Sequence, residues 1–390
     1  MRLPGLEHCT GCGTCVAICP AAAISLVRTD NGFDYPQVDH AKCLGCSLCE
    51  NRCPVLKPGE VQTSIGCFAA VLKDRNDLAK STSGGVFTAL YRRVLAVKGV
   101  VFGCVWAENH RLVRHLIGKV EDVCASMRGS KYVQGAAGQS FAQVKQALDK
   151  GLEVLFTGTP CQIAGLKRFL GREYENLLAV EVVCHGVGSP GLWQRYCDEL
   201  ERRYGGKIQQ VGFRTKGVLP SGSAFTVTFD NGKSLTRPAY SVGYSRAFLQ
   251  GLCLRPSCHA CPFKNGRSGA DVAIGDFWGV EHFHPELDRT QGCSAVVCFT
   301  ERGRRIVEDS GLMLTLTTWE NVTAYNKSLV AATPLDRQKV AAFQMALERG
   351  TVAQAVAFVM DGPWYRRFPK YGLRYARMTI GRFLRKVGLR

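Results

Sequence analysis

Along the first 60 residues the apolar positions come in short runs, and two of them, Ile24–Val27 and Phe33–Val38, flank the pair Asn31-Gly32. That arrangement predicts a β-hairpin closed by a tight turn. From Gly66 onward the pattern changes to apolar strands alternating with amphipathic helices, which predicts an α/β body. Val100–Trp106 reads as a strand, Ser140–Lys150 as a helix and Glu153–Thr157 as a buried strand. Gln162–Leu170 reads as the next helix and Leu178–Cys184 as another buried strand. The last three form a βαβ unit, whose right-handed crossover makes the two strands parallel, with both C-terminal ends on one edge. A further helix is predicted over Phe87–Val97.

At 390 residues the chain exceeds one ordinary core, and its 46 % hydrophobic and 21 % charged content fits a globular protein. The longest apolar candidate, Val94 to Ala107, is interrupted by Lys98 and is too short to span a bilayer. No apolar stretch precedes Cys9, so a secretory signal is not expected and the cytosol is. In that compartment 19 cysteines point to metal ligation and not to disulfides.

Eight of those cysteines stand in two copies of one motif. Cys9, Cys12, Cys15, Cys19 and Pro20 have the C-x2-C-x2-C-x3-C-P spacing, and Cys43, Cys46, Cys49, Cys53 and Pro54 repeat it. Three closely spaced thiolates wrap one iron–sulfur cubane, and the fourth reaches across to the other. The spacing therefore assigns Cys9, Cys12, Cys15 and Cys53 to one 4Fe-4S cluster, and Cys43, Cys46, Cys49 and Cys19 to a second. Zinc modules use four ligands in two pairs, a pattern that this doubled motif overshoots. The expected fold class is thus α+β / α/β: a bacterial-type two-cluster ferredoxin fold over residues 1–60, then the α/β body over 66–330. A helical region, 331–390, would follow.

Two more cysteines fall at the predicted strand edge. Cys161 follows strand 153–157 through Thr159 and Pro160, a cap and first turn, and Cys184 closes strand 178–184. A helix N-terminus lowers a thiol pKa, which favours the thiolate at Cys161. Cys258 and Cys261, with Pro262 behind them, form a metal half-site. Together the four offer the ligands of a third cluster; a structural zinc or unrelated buried thiols are the alternatives. His259 reads as a loop side chain, and Cys67, Cys104, Cys124, Cys197, Cys253, Cys293 and Cys298 read as core. Ser81, Thr82 and Ser83 followed by Gly84 and Gly85 open a helix, either as an ordinary cap or as a phosphate cradle. Single electrons arriving from clusters need a converter if the final reaction takes two, which favours a flavin.

Several stretches, in order, resemble the family of coenzyme F420 hydrogenase/dehydrogenase beta subunits: Ser81–Leu90, Arg128–Tyr132, Thr157–Gln162, Val183–Gly186, Arg255–Lys264 and Asp271–Gly279. The likeness covers roughly 66 to 330. It implies an oxidoreductase that binds FAD and a 4Fe-4S cluster of its own, and so supports the third cluster. By the same resemblance Ser83, Gly84 and Gly85 would face the flavin phosphates. Lys131, Tyr132, Thr159 and Pro160 would line the flavin cleft, and Arg255 would belong to the cofactor site. Arg214, Lys216, Arg255, Lys264 and Arg267 would receive an anionic partner or form a solvated surface. Asp271 and Asp276 would orient cofactor hydroxyls or cap loops. The hydrogenase members of the family need not carry a fused ferredoxin, and the fusion suggests a diffusing redox donor, which puts the deazaflavin as substrate in doubt. The acceptor would be a small organic molecule.

The net charge of +18 is uneven: half of it comes from residues 363–390, with seven Arg, two Lys and no acid. Leu373, Ala376, Ile380, Phe383, Leu384 and Val387 recur at steps of three and four, one face of a basic amphipathic helix. That pattern reads as peripheral contact with an anionic membrane. Nucleic acid is not expected as a partner, since no nucleic-acid fold or aromatic platform is present.

Overall fold

The computed structural model describes residues 2–220 and 222–361. The N-terminal hairpin forms as expected: β1 (Ile24–Arg28) and β2 (Asp34–Val38) pair antiparallel. The short helices Thr14–Ile18 and Leu48–Asn51 carry the third cysteine of each motif, Cys15 and Cys49, and the fourth, Cys19 and Cys53, follow just beyond them; Gly11 and Gly45 take the same left-handed conformation in the two loops, φ +66° in both.

The body contributes β3 (Gly66–Val71), β4 (Val100–Ala107), β5 (Leu112–Gly118), β6 (Gly135–Ala136), β7 (Val154–Gly158) and β8 (Leu177–Val182). Next come β9 (Ile208–Leu219), β10 (Gly222–Phe229) and β11 (Ser234–Pro238), which form an antiparallel sheet of their own. The last strands are β12 (Val272–Asp276), β13 (Ser294–Cys298) and β14 (Met313–Thr317). The main sheet runs β14-β3-β13-β12-β8-β7-β4-β5-β6. It is mixed: β4, β7, β8 and β12 are parallel neighbours, whereas β13, β3 and β14 extend it antiparallel.

The central strands read as unbroken apolar runs because both of their faces are covered. Val101, Leu155, Leu178 and Val180 pack against Leu90, Tyr91 and Val94 of the helix Val86–Ala96. Val100, Phe102, Phe156 and Ala179 point the other way, onto Phe141, Val144, Ile163 and Leu166. The predicted βαβ unit is present as β7, the helix Pro160–Leu170 and β8. Its last strand ends at Val182, so Cys184 lies in the loop beyond. Further on, Phe343, Leu347, Val352 and Val356 share one core with Trp193, Phe213, Tyr244 and Phe248, so the helices Arg337–Arg349 and Val352–Asp361 are part of the body's packing. No helix among the described residues is long and apolar enough to cross a membrane. The basic stretch 371–390 lies outside the described residues.

The ferredoxin module is docked by close backbone approach. A Cβ on Gly13 would stand 2.7 Å from the Cα of Gly138, and one on Gly165 would stand 2.7 Å from Thr14 Oγ1 and 3.0 Å from Cys12 Cβ. Thr14 Oγ1 donates to the Gly165 carbonyl at 3.0 Å. Overpacking such a seam costs about 1–3 kcal/mol. Gly165→Leu is therefore expected to lower the unfolding temperature and to reduce iron held by the Cys9 loop; wild-type values in thermal unfolding and iron analysis would contradict this docking.

Candidate functional site

The eight N-terminal cysteines sort into the two sets that the spacing assigned. The Cys15 thiol is influenced by Cys12, Cys9 and Cys53, and Cys53 in turn by Cys12 and Cys9. Cys19, Cys43, Cys46 and Cys49 instead line one cavity with Ala23, Ile24, Leu44 and Leu48. The sets differ in part in exposure: Cys9, Cys12 and Cys53 are buried and Cys15 half-buried, whereas in the other set only Cys49 is buried, Cys19 and Cys43 are half-buried, Cys46 is exposed, and Leu44 nearby is 71 % exposed. Burial pushes the thiols of Cys12, Cys15 and Cys53 up. Iron must supply the charge that makes thiolates stable there, which couples cluster binding to folding of the module.

The third set also assembles. Cys161 sits in the first turn of the helix Pro160–Leu170, where Thr159 and Gln162 form a capping box; Gln162 Oε1 accepts from the Thr159 N–H at 2.9 Å. Cys184 follows β8, and Cys258 and Cys261 lie on and just after the turn Pro256–Ala260. The Cys161 thiol is influenced by Cys261, Cys184 and Cys258, and Cys258 by Cys184 and Cys261. The expected lowering of the Cys161 pKa does not hold in this setting. Full burial drives it well above the usual thiol value, because desolvation of a thiolate outweighs the partial charge of a helix end. Lys264 Nζ donates to the Cys184 carbonyl and to the Ser328 carbonyl at 2.6 Å. Glu181, buried nearby, is pushed up to about 7 by desolvation. His259 bonds the Thr333 carbonyl at 3.0 Å, as a loop side chain does.

The remaining predicted residues gather along the carboxyl edge of the parallel strands, where ligands of open α/β sheets sit. Ser83 and Gly84 are held onto β3 and β13: the Gly84 N–H donates to Ser294 Oγ at 2.9 Å and Ser83 Oγ to the Cys293 carbonyl at 3.0 Å. A Cβ at Gly84 would collide with the Ala70 carbonyl, so close packing alone accounts for this glycine. Gly85, at φ +84°, caps the helix Val86–Ala96. The Ser130 N–H donates to Thr82 Oγ1 at 3.2 Å, which joins this loop to the one bearing Lys131 and Tyr132. Lys131 Nζ donates to the Arg128 carbonyl at 2.9 Å, and Lys216 Nζ to the Ser83 and Gln291 carbonyls at 2.8 and 2.7 Å. Burial pulls both lysines down to about 8. Tyr132 stacks on Phe248 at 4.6 Å, and Arg214 pairs with Asp276.

Three residues depart from the sequence reading. Arg255 is neither on the surface nor at this edge. It is 1 % exposed, with Nε donating to the Cys9 carbonyl at 2.6 Å, and the other nitrogens to Gln134 Oε1 at 2.8 Å and the Asp34 carbonyl at 3.1 Å. Asp271 is a strut inside the sheet, accepting from the Ala179 N–H at 2.8 Å and Thr300 Oγ1 at 2.9 Å. Cys104, read as core, is only half-buried and faces His115 directly across β4 and β5, its Sγ 3.6 Å from Nδ1. His115 Nε2 lies 2.8 Å from the Thr157 carbonyl, which orients the ring. The imidazole lowers the Cys104 pKa despite burial, aided by Lys131, while Cys104 raises that of His115. The 11-residue separation of these two carried no motif; only the hairpin register brings them together. Of the other six cysteines outside the three sets, all are buried with thiols pushed up by desolvation. In the cluster-loaded protein, Cys104 is thus expected to be the first of the seven alkylated by iodoacetamide at neutral pH. His115→Asn should slow that labelling clearly, because the imidazole is what lowers the thiol pKa; site-resolved mass spectrometry reads both, and equal rates would sink the pairing.

Comparison with known proteins adds the following. Residues 151–320 match the family model for the C terminus of the beta subunit of coenzyme F420 hydrogenase/dehydrogenase, and residues 8–56 match the 4Fe-4S dicluster domain. The chain is 29 % identical over 172 residues to the F subunit of F(420)H(2) dehydrogenase from Methanosarcina mazei, a match covering 40 % of this chain and 47 % of that one. The chain thus spans less than half the length of that relative. An uncharacterized ferredoxin of Methanocaldococcus jannaschii is 38 % identical over 48 residues, 12 % of this chain and 61 % of its own. Among solved structures, a chain of the F420-reducing NiFe hydrogenase complex from Methanosarcina barkeri aligns with TM-score 0.47 and 16 % identity, covering 74 % of this chain and 96 % of that chain.

Proposed function

From a chain whose residues 151–320 belong to the family of coenzyme F420 hydrogenase/dehydrogenase beta subunits and whose residues 8–56 are a 4Fe-4S domain, we propose a flavin-dependent iron–sulfur reductase. The two N-terminal cysteine sets and Cys161, Cys184, Cys258 and Cys261 would hold three 4Fe-4S clusters that would relay single electrons from a redox partner protein, and the adjoining edge would hold FAD for two-electron delivery to a small organic acceptor, of which the coenzyme in the family's name is one candidate. The observation that carries this reading is the convergence of Cys161, Cys184, Cys258 and Cys261 beside an edge bearing two half-buried lysines, Lys131 and Lys216, bonded to backbone carbonyls. Such cations, drawn down toward neutral by burial, suit the phosphates of a dinucleotide or an anionic acceptor. Among the described residues no three Cys, His, Asp or Glu side chains close on a single metal ion; a cubane, with each thiolate on its own iron, asks for a wider spacing than zinc does.

When bound, FAD supplies the conversion from single-electron arrival to two-electron delivery. The chain's own residues do the rest. The thiols hold the irons, the lysines neutralise anionic ligand groups, and Tyr132 with Phe248 offers an aromatic wall. The Cys104–His115 pair stands beside Lys131 as a proton source at this edge.

The test is composition. Anaerobically purified protein is expected to hold about twelve irons and twelve sulfides with one FAD, falling to about eight irons in Cys161→Ser. About eight irons and no flavin in the wild type would favour an electron carrier that does no organic chemistry. Lys131→Met and Lys216→Met should each weaken flavin retention or acceptor KM about tenfold, the worth of one charge-assisted contact; unchanged flavin content and KM would remove them from the site. The basic tail, 363–390, is assigned to an anionic membrane surface. Full-length protein should co-sediment with phosphatidylserine vesicles more strongly than a 1–362 truncation, and equal sedimentation would discard that role.

A further inference from the structure

Arg255 stands where the ferredoxin module meets the third cysteine set, and its position there does more than dock the two. A fully buried guanidinium is costly unless its donors are met. Here Nε and both terminal nitrogens reach the Cys9 carbonyl, Gln134 and the Asp34 carbonyl, and one terminal nitrogen also lies 3.7 Å from Cys9 Sγ. The plane rests over the Tyr35 ring, 4.0 Å from its centroid. On its other side, the Arg255 carbonyl accepts from the Cys258 N–H at 2.8 Å. Cys258 packs into the same small core as Cys9, Phe33, Tyr35 and Val187. The Cys258 thiol feels the Arg255 charge. Ligands of two different sets thus lie on either side of one positive charge. The other set, Cys19, Cys43, Cys46 and Cys49, of which Cys46 is exposed, takes no part in this contact.

We infer that Arg255 is the electrostatic bridge between two clusters, so that the Cys9 set, and not the Cys43 set, exchanges electrons with the Cys258 set. The inference rests on the three-cluster reading above. The Cys43 set, with Cys46 at the surface, then faces the redox partner, the Cys9 set is the middle station, and the Cys258 set adjoins the flavin edge. The step between the last two is a one-electron exchange: one cluster is oxidised as the other is reduced, with no bond made or broken. A cubane gains negative charge on reduction, so a nearby cation and an N–H aimed at a ligand sulfur both favour the reduced form and raise its potential. Arg255 brings its charge to both neighbours and an N–H to Cys9 Sγ alone, and it ties the two loops together through the Cys9 carbonyl and the Cys258 N–H. Lys264, by contrast, reaches only the third set, through the Cys184 carbonyl and its influence on Cys184 and Cys261.

EPR-monitored redox titration of the cluster-loaded protein tests this. Arg255→Met is expected to lower the midpoint potentials of both the Cys9 and the Cys258 clusters, and Lys264→Met that of the Cys258 cluster alone. Arg255→Lys, which keeps the charge, should restore most of the shift. An iron-replete Arg255→Met protein whose Cys9 cluster titrates at the wild-type potential would overturn the assignment. Should Arg255→Met lose iron, the fully reduced wild type decides. Removal of the third cluster by Cys161→Ser should then sharpen the EPR signal of the Cys9 cluster by abolishing spin coupling. A Cys9 signal unchanged by that removal refutes the order, whereas wild-type protein with only about eight irons refutes the three-cluster reading itself.

Discussion

A guanidinium out of water must have its donors satisfied, and the Arg255 partners come from three separate segments. The Cys9 carbonyl belongs to the first cysteine loop, the Asp34 carbonyl to the N-terminal hairpin, and Gln134 to the loop ahead of β6. Meeting that demand brings all three to the turn that carries Cys258 and Cys261. The glycine seams at Gly13, Gly138 and Gly165 serve the same docking, since a side chain at any of them would push the module off the body. Interdomain geometry in this protein is therefore a matter of packed backbone and one enclosed charge, and not of a flexible linker.

The second organising feature is the strand order. Because β4, β7, β8 and β12 run parallel, their carboxyl ends come out together. The antiparallel strand β13 begins at that same edge, where Ser294 pairs with Ala70 of β3. One edge thus collects Cys161, Cys184, Asp276, Ser83 and the Cys104–His115 pair, although they are spread over some two hundred residues of sequence. Burial then sets their chemistry: it raises the thiols, draws Lys131 and Lys216 down to about 8, and leaves Glu181 near neutrality. Groups whose protonation is balanced near pH 7 are suited to proton and electron traffic.

Local chemistry was legible in the sequence wherever the physical cause lies within a few residues. The doubled cysteine spacing reflects loops that must point three thiolates at one cubane, and Gly11 and Gly45 serve the turn in each copy. Asn31-Gly32 closed the hairpin, and Thr159-Pro160 with Gln162 started a helix at the expected place, because turns and caps are short-range hydrogen-bond problems. The third cysteine set was also recoverable, since a βαβ unit puts Cys161 and Cys184 on one edge by handedness alone.

Side chains whose meaning depends on distant partners were a different matter. Arg255 was one basic residue among several until its neighbours enclosed it, and Cys104 was one apolar-run cysteine among seven until the β4–β5 register set it opposite His115. Asp271 became a sheet strut and Gly84 a packing glycine for the same reason. The helix-end effect at Cys161 was real as a local tendency, yet desolvation by the surrounding fold overrode it. By itself, then, the sequence determined the cysteine spacing, the turns and the parallel edge, all of which follow from short-range geometry. Which charges are buried, which thiol is activated and which cluster set meets which were decided by the tertiary structure, because burial and long-range contact exist only once remote segments have packed.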